Sequence, residues 1–542
     1  MRFCLLLPAA IALLAVACGP AAAPGPPGGA GQTDEPKAGG TLKALLREDP
    51  SSLSIHEDVS TSLTWPVMLG YNNLVKSDPT IVPESLQTIR PELAQKWEIS
   101  PDGKSITFTL NQPVKWHDGT LFTARDIKYT FDTLKTGTDA LRPEVKMRGN
   151  PRTAWYANVE AVEAPNDATA VFRLKRPQPS LLGMLASGYT PIYPSHVPVS
   201  DLRTKVVGTG PFKLVEWRKG EAVIYTKNQE YWRPNHPYME GVHFVIIVQA
   251  ATQLAAMKTH QIQVSHPGEL TKANVDELTQ AVPLMVAEER VGTGSDNIPM
   301  NTRKAPWSDQ RVRLAVAEAL DREAYLVARG RGAVIGTYVS PAGPFAPPKE
   351  QLAQLPGYGP NMEERRARAK HLLAEAGYPN GFTTEVSTRD IRLFTDLAPW
   401  TLDQLARIGI KATLKVLETP VYNTAMVKGD FEIASGSTAL GSDDPDVMFY
   451  ENLRCGETRN YSQWCDAEVD RLTDLQSATL DSVERKRIIN QMDRMVVESA
   501  SRPLLGWRNH YEAWWPEVRG YKAMASVYAT GPGRLDDVWL AQ

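Results

Sequence analysis

The segment "PELAQKWEISPDGKSITFTLNQPVKWHDGTLFTARDIKYTFDTLK", residues 91–135, carries the clearest local signals in this chain of 542 residues. Within it, "SITFTL" (105–110) alternates polar and apolar side chains, which is typical of a strand with one buried face. The preceding "SPDGK" supplies turn residues, with Gly103 at the position that tolerates a positive φ. We therefore expect a β-hairpin here.

A helix should follow the hairpin in "FTARDIKYTFDTL" (122–134). Thr123 can cap its N-terminus, and Asp126 stands three residues later as a short version of the capping-box acid. Ile127, Phe131 and Leu134 recur at the spacing of one helical face.

Between the strand and the helix, "WHDGT" places a histidine beside an aspartate. His117 and Asp118 could suggest catalysis, but Asp and Gly119 at this position also meet the backbone needs of a turn. We favour the turn.

Alternating strand and helix signals continue along the chain. "GTGPFKLVEWRKGEAVIYTKNQEYW" (208–232) indicates two strands around the turn "RKGE", and "LAPWTLDQLARIGIKATLKVLE" (397–418) indicates a helix that ends near Gly409 and leads into a strand. Apolar residues at helical spacing predict further helices over residues 309–328 and 482–499, and another that begins near residue 361 and is stopped by Gly377 and Pro379.

Length and charge restrict the class of protein. A chain of 542 residues is too long for one hydrophobic core, so we expect two lobes or more. The formal net charge is −3 and no block of Lys or Arg stands out, so we expect no nucleic-acid partner.

The N-terminus predicts export. Residues 1–17 have a cationic start and an apolar run of signal-peptide length, and "LAVAC" (14–18) resembles the lipobox of bacterial lipoproteins, in which Cys18 would be acylated. The alternative is an ordinary signal peptide cut nearby. Residues 18–39, rich in Pro, Gly and Ala, predict a flexible linker from this anchor.

Two cysteines remain after export. Cys455 and Cys465 would lie in an oxidising compartment, where they can form a disulfide or stay as free thiols, and we favour the disulfide. No metal or cofactor is expected, since Cys455 and Cys465 lack nearby histidines and His260 and His266, expected to be exposed, lack a spaced third ligand.

Six phrases, in order, resemble the extracytoplasmic solute-binding proteins of ABC importers, family 5 (the peptide/nickel/opine class). They are "PELAQKWEISPDGKSITFTL", "VKWHDGTLFTARDIKYTF", "GTGPFKLVEW", "NTRKAPWSDQRVRLAVAEALDRE", "AKHLLAEAGYPNGF" and "NYSQWCDAEVDRL". The resemblance extends from about Gly40 to the C-terminus.

The resemblance implies an α/β fold like that of periplasmic binding proteins (class II, large type), with two lobes joined by a hinge and an extra domain inserted in the first lobe. On this pattern residues 38–72, 206–290 and 499–542 form lobe I, 73–205 the inserted domain and 291–498 lobe II. A ligand would be enclosed between the lobes, which close around it.

The resemblance also implies ligand-binding positions. In peptide-binding members an aspartate holds the peptide ammonium and a tryptophan precedes it by three residues; these positions fall on Gly441 and Thr438, so the usual anchor is missing. Asp443 or Asp444 could replace it through a shift of the loop, or could cap the turn into "PDVMFY", the favoured alternative.

Arginines and aromatics complete the candidate site. Dipeptide binders place an arginine for the peptide carboxylate near Arg389 and Arg392; a solvated loop charge is the favoured alternative for these two residues. Trp400 and Trp464 could stack on a ligand, although a core position is the favoured alternative for each.

The resemblance therefore implies a lipid-anchored, monomeric protein outside the cytoplasmic membrane, in the periplasm or on the membrane's outer face. It would deliver a small solute, with peptide or modified peptide favoured, to ABC importer permease subunits. Oligosaccharide or organic-acid binding, or a role as an extracytoplasmic sensor, remain alternatives. An enzyme is disfavoured, since the sequence contains no G-x-S-x-G, H-E-x-x-H or Walker phrase.

Overall fold

The computed structural model describes residues 35–78, 88–330, 332–440, 444–523 and 533–541. The predicted signal peptide 1–17, Cys18, Gly441 and Asp443 lie outside these residues. By their contacts, residues Lys37–Gln542 form one unit.

The strands within the described residues are, in chain order, β1 (Thr41–Leu46), β2 (Val75–Ser77), β3 (Ile89–Pro91), β4 (Ala94–Ile99), β5 (Ser105–Leu110), β6 (Val159–Asn166), β7 (Thr169–Leu174), β8 (Phe212–Arg218), β9 (Ala222–Lys227), β10 (Gly241–Ile246), β11 (Val286–Asn297), β12 (Ala333–Val334), β13 (Thr383–Arg389), β14 (Lys411–Leu417), β15 (Ile433–Ala434), β16 (Gly436–Ala439), β17 (Leu504–Trp514), β18 (Val518–Arg519) and β19 (Trp539–Leu540).

The α-helices within the same residues are α1 (Thr61–Met68), α2 (Ala124–Thr136), α3 (Leu181–Leu185), α4 (Ala250–Lys258), α5 (Lys272–Ala281), α6 (Gln310–Ala319), α7 (Arg322–Ala328), α8 (Lys349–Leu352), α9 (Met362–Glu375), α10 (Arg392–Thr395), α11 (Ala398–Ala406), α12 (Thr419–Lys428), α13 (Pro445–Met448), α14 (Ala467–Ala478) and α15 (Ser482–Ser499). A π-helical turn, Phe449–Leu453, follows α13.

The predicted hairpin is confirmed. Strands β4 and β5 pair antiparallel, with Trp97 opposite Phe108, and Gly103 in the connecting turn has a φ of 67°. They belong to a four-stranded sheet with the order β4-β5-β7-β6. Every second residue of β5 is buried, as the alternation in its sequence predicts.

The predicted helix after the hairpin is confirmed as α2, together with its capping box. The Thr123 side chain accepts a hydrogen bond from the backbone N–H of Arg125 at 3.3 Å, and the Asp126 carboxylate accepts from the N–H of Thr123 at 2.9 Å. The predicted apolar stripe is buried, with Phe131 packed edge-on against Phe172 of β7 at 4.8 Å between ring centroids.

The helix predicted over residues 309–328 is two helices, α6 and α7. The chain leaves the helical conformation at Leu320, where φ is −70° and ψ is 111°. Asp321 then caps α7, because its side chain accepts from the N–H of Ala324 at 3.0 Å. The apolar residues keep their helical spacing across this break. The sequence pattern therefore does not show that one helix ends and a second begins there.

Two long antiparallel strands, β11 and β17, run from one sheet to another. At the Trp514 end of β17, Val264 forms one bridge to Trp514 and another to Ala44 of β1. These bridges join β11 and β17 to the sheet β1-β10-β9-β8. At the other ends they pair with β16 and β12, and Met300 bridges to Ile433 of the parallel sheet β14-β13-β15. The two sheets therefore share only a narrow connection, which suits a hinge.

The hydrophobic core of the described residues contains two large clusters. One surrounds Ile298, Val316, Leu405 and Ile433, beside the sheet β14-β13-β15. The larger one includes residues of β1, β10 and the β4-β5-β7-β6 sheet and continues to α14, α15 and β17. In the described part of the chain, no helix has the length and apolar character needed to span a bilayer.

Candidate functional site

A cavity beside β17 is lined by residues that follow β1 and by residues at the C-terminal end of β13. It encloses about 790 Å³ of empty space, including its mouth. Its walls come from the chain after β1, from the loop before α5, from the β13–α10 junction, and from α12, β16 and β17. The lining side chains include Arg47, Thr61, Arg389, Phe394, Tyr422, Ser437, Ala439, Arg459, Tyr461, Arg508 and His510.

Arg47, the first residue after β1, forms one wall. Its guanidinium donates to Thr61 Oγ1 at 2.9 Å and to Glu269 Oε2 at 3.2 Å. Glu48 lies 3.8 Å away and also faces Arg389, at 3.5 Å from Arg389 Nη2. A single carboxylate thus lies between two guanidinium groups from different sheets.

Arg389, at the C-terminal end of β13, contributes to the opposite wall. Its Nε donates to Thr419 Oγ1 at 2.6 Å, whereas its buried Nη2 forms the ion pair with Glu48 but has no hydrogen-bond partner of closer geometry in the part of the chain that the structure describes. Burial lowers the pKa of Arg389, with Glu48 acting in the other direction and Arg47 adding to the decrease. An arginine remains charged even after such a shift.

Arg508 of β17 forms the base of the cavity. Its Nη2 donates to Ser437 Oγ at 3.0 Å, and its Nε lies 3.1 Å from Asp296, which is fully buried on β11. Asp296 also accepts from Arg329 Nε at 2.8 Å and from Tyr325 O–H at 3.0 Å. One buried carboxylate therefore serves two arginines.

Arg459 completes the cationic lining, and the carboxylate behind it is Glu451. Glu451 lies in the π-helical turn, accepts from Arg459 Nη1 through Oε1, and accepts from Trp155 Nε1 at 2.9 Å through Oε2. Trp155 belongs to the segment predicted to form the inserted domain. The cavity wall is thus tied directly to that segment.

Aromatic rings form the apolar part of the cavity. The rings of Phe394 and Tyr422 meet edge-on at 5.8 Å between centroids, and Arg389 lies over the Phe394 ring at 5.7 Å. Tyr461 lies on the far side, with the buried Arg502 5.5 Å from its ring centroid. Such a surface suits a ligand with both apolar and anionic parts.

The arginines proposed from the sequence lie in different places. Arg389 lines the cavity, whereas Arg392 lies on α10 and donates to Asn274 Oδ1 at 3.1 Å, outside the described lining. Arg47, Arg459 and Arg508 were not identified from the sequence. Arg47 lies more than four hundred positions before the other two, and the three share no motif, so only the folded chain brings them together.

Thr438 lies behind the cavity wall. In β16 the side chains alternate, so Ser437 and Ala439 face the cavity while Thr438 points away. The Thr438 hydroxyl accepts from Asn297 Nδ2 at 3.0 Å and from Arg502 Nη2.

Asp444 acts as a cap, the favoured alternative for the acids at this turn. Its side chain accepts from the N–H of Asp446 at the start of α13, and its two oxygens accept from Arg485 at 2.9 and 2.6 Å.

The two tryptophans lie outside the described cavity lining. The ring of Trp400 lies 5.9 Å from that of Tyr325, measured between centroids, and packs against the hydrophobic cluster beside the sheet β14-β13-β15. Trp464 is half-buried against the larger core, and its carbonyl accepts from Asn460 Nδ2 at 2.6 Å.

Cys455 and Cys465 are joined as a disulfide, with 4.7 Å between their Cα atoms. The bond closes the loop that carries Arg459 and Tyr461. It therefore restrains two side chains of the cavity wall.

The histidines considered for metal binding and catalysis have other environments. His266 is fully buried against Trp65, which corrects the expected exposure, and burial lowers its pKa well below the usual value. His260 is exposed and paired with Glu517. Among the described residues no group of His, Cys, Asp or Glu has the arrangement of a metal site.

His117 and Asp118 occupy the predicted turn, where Gly119 has a φ of 91°. Asp118 accepts from the N–H of Thr120 at 3.0 Å, and His117 Nε2 lies 3.0 Å from the carbonyl of Gly210. Burial lowers the His117 pKa to about 4.

Comparison with known proteins identifies the family. Residues 88–460 match "Bacterial extracellular solute-binding proteins, family 5 Middle". The dipeptide-binding protein of Escherichia coli (strain K12) is 25% identical over 464 residues, which cover 80% of this chain and 83% of the relative. The glutathione-binding protein GsiB of Shigella flexneri serotype 5b (strain 8401) is 28% identical over 354 residues, covering 64% of each protein.

A solved structure has the same fold. It is the ABC transporter-associated periplasmic binding protein DppA from Helicobacter pylori in complex with peptide STSA, with a TM-score of 0.80, 24% identity, and coverage of 93% of this chain and 99% of that chain. The two-lobe α/β fold expected from the sequence is thereby confirmed. The chain belongs to the bacterial extracellular solute-binding proteins of family 5.

Proposed function

We propose that this protein is the receptor of an ABC importer, and that it captures a small carboxylate-bearing solute, with peptide or modified peptide favoured, for delivery to the permease subunits. The observation that carries the proposal is the cavity beside β17, lined by guanidinium groups and aromatic rings. Guanidinium groups bind carboxylates through paired hydrogen bonds. The named ligands of the relatives, a dipeptide and glutathione, also bear carboxylates.

In this proposal, lobe I comprises residues 38–72, 206–290 and 499–542, the inserted domain comprises 73–205, and lobe II comprises 291–498. Arg47 and Arg508 then belong to lobe I, and Arg389 and Arg459 to lobe II. A ligand held by all four stabilises the closed arrangement of the lobes over an open one, and the permease distinguishes loaded from empty receptor by that difference.

Arg389 receives a carboxylate of the solute, while Gly441 supplies no acid for a free ammonium group. A peptide with a modified or absent N-terminal ammonium therefore fits better than a free one, because a buried ammonium without a counter-charge is costly.

The mature protein acts outside the cytoplasmic membrane as a monomer, anchored by lipid on Cys18 and needing neither cofactor nor metal nor nucleic acid. Residues 18–39 serve as the tether. Metabolic labelling with palmitate should mark the wild type and leave Cys18→Ala unlabelled; equal labelling of both would disprove this anchor.

Binding occurs without catalysis. After incubation with the purified protein, the solute should be recovered chemically unchanged. Conversion of many solute molecules per protein into a product would identify an enzyme.

The main test is to purify the protein from its own host and identify any co-purified solute by mass spectrometry. A carboxylate-bearing peptide or peptide derivative supports the proposal, and a neutral sugar contradicts it. Uptake of that solute should be lost when the permease gene is deleted; unchanged uptake would favour a sensor.

A further inference from the structure

The cavity contains no carboxylate among its described lining residues, although four guanidinium groups line it. The carboxylates that compensate them lie behind the walls. Each of these acids contacts a lining arginine from outside: Glu48, Glu269, Glu451 and Asp296.

Two more arginines add to this positive charge. Arg329 shares Asp296 with Arg508, at 2.8 Å from the carboxylate. Arg502 is buried behind β16, and its hydrogen-bond acceptors among the described residues are neutral, Asn297 Oδ1 at 3.0 Å and the Thr438 hydroxyl. The buried Nη1 of Arg502 has no hydrogen-bond partner within the described ranges, and burial lowers the pKa of this arginine.

Around the cavity, six guanidinium groups of the described residues contact four carboxylates, and the carboxylates of Asp58 and Asp396 act on Arg389 and Arg329 from farther away. Arginine does not lose its proton under physiological conditions, so the lining keeps an excess of positive charge, since no carboxylate among its described residues faces the cavity. Burying unpaired charge is strongly unfavourable unless another group compensates it. A bound ligand with opposite charge would supply that compensation.

We propose that the cavity selects a solute with two or more anionic groups, such as an acidic peptide or a polycarboxylate. This inference rests on the proposed function and names the ligand class of the same site. One anionic group would leave part of the excess charge uncompensated.

The positions of the arginines favour separated anionic groups. Arg47 and Arg389 approach the cavity from β1 and β13 and share Glu48, whereas Arg508 and Arg459 approach from β17 and the disulfide loop and use Asp296 and Glu451. One carboxylate accepts a paired hydrogen bond from one guanidinium, so two such groups can occupy both parts of the cavity.

Isothermal titration with three probes tests the inference on protein freed of bound solute by refolding. The dipeptides Gln-Gln and Glu-Glu, both N-acetylated so that neither carries a free ammonium group, are nearly equal in size and differ by two side-chain carboxylates, and tricarballylate is a tricarboxylate without a peptide bond. We expect Kd for Glu-Glu or tricarballylate to be at least tenfold lower than for Gln-Gln. The difference should shrink as salt concentration rises.

The outcomes separate this inference from the proposed function. Tight binding of tricarballylate with no binding of either dipeptide would support the polyanion class and contradict a peptide ligand. Equal or tighter binding of Gln-Gln than of the acidic probes would overturn the inference and leave peptide transport standing. Failure of both acidic probes to bind would also overturn it.

Two variants test whether the lining arginines cause the preference for acidic probes. Arg508→Gln and Arg459→Gln should each raise the Kd of the tighter acidic probe at least tenfold and should raise the Kd of Gln-Gln much less. Arg407→Gln, on the exposed end of α11 and paired with Asp403, is the matched control and should leave all three affinities unchanged. Equal losses for acidic and neutral probes would contradict a charge-based selection.

Discussion

Glu451 holds Arg459 of the cavity wall with one carboxylate oxygen and the Trp155 indole N–H with the other, at 2.9 Å. Both Glu451 and Trp155 are buried. The pair of contacts joins the binding cavity to the segment proposed as the inserted domain, so a ligand that positions Arg459 also acts on the contact between that segment and lobe II.

Glu451→Gln should lower the free energy of unfolding by about 3 kcal/mol, because the amide has one acceptor oxygen and no negative charge to pair with the Arg459 guanidinium in a buried site. Urea denaturation measures the change. Trp155→Phe, which removes the N–H donor together with part of the buried indole ring, should cost about 2 kcal/mol. The exposed Glu468→Gln is the control, and a loss for Glu451→Gln no larger than for this control would contradict the role assigned to Glu451.

Asp493→Asn should stabilise the protein at alkaline pH. Asp493 is buried on α15, where burial raises its pKa from 3.8 to about 7, while the N–H of Tyr338 donates to it at 2.9 Å. The folded state therefore binds more protons than the unfolded state between these two values, and stability falls as pH rises through that window.

The substitution removes that pH dependence and keeps an acceptor for Tyr338. The increase in the free energy of unfolding should reach about 4 kcal/mol at pH 8 and should decline as pH falls towards 4. Urea denaturation across this range, with the exposed Glu498→Gln on the same helix as control, measures it. A gain that does not vary with pH would show that Asp493 is not the titrating group.

Removing the disulfide should weaken both stability and binding. The paired change Cys455→Ser and Cys465→Ser opens a loop with a sequence separation of 10, for which a loss of about 2 to 3 kcal/mol is expected. Arg459 and Tyr461 lie in this loop, so the affinity for the bound solute should also decrease. Thermal denaturation and calorimetry measure the two effects; unchanged affinity would show that the loop keeps its conformation without the bond.

Gly294→Ala should reduce binding more than stability. A Cβ at this position would lie 2.4 Å from Arg508 Nη2, so the guanidinium must move and lose its hydrogen bond to Ser437. We expect affinity for the bound solute to fall about tenfold, corresponding to about 1.4 kcal/mol, with little change in the melting temperature. Gly149→Ala, where the added Cβ meets nothing within 4 Å, is the matched control.

Local signals were the most reliable part of the sequence. The hairpin, the Thr123 capping box and the strands around "RKGE" depend on neighbours within a few positions, and the structure contains all three. The break at Leu320 escaped detection because a cap at Asp321 interrupts the backbone without interrupting the apolar spacing.

For the site, family resemblance pointed to Arg389 and to the β16 region, yet the side-chain directions there depend on strand register. Ser437 and Ala439 face the cavity while Thr438 does not, because successive residues of a strand point to opposite faces. The exposure expected for His266 was wrong, since its burial depends on contact with Trp65, two hundred positions earlier.

The amino-acid order alone established the two-lobe α/β family, the hairpin and the main helices, since these follow from short-range spacing and recurring phrases. The folded chain alone showed that Arg47, Arg389, Arg459 and Arg508 share one cavity and that their carboxylates stand behind its walls. The physical reason is that these charges come from distant segments, and their balance depends on distances that exist only after the sheets have packed.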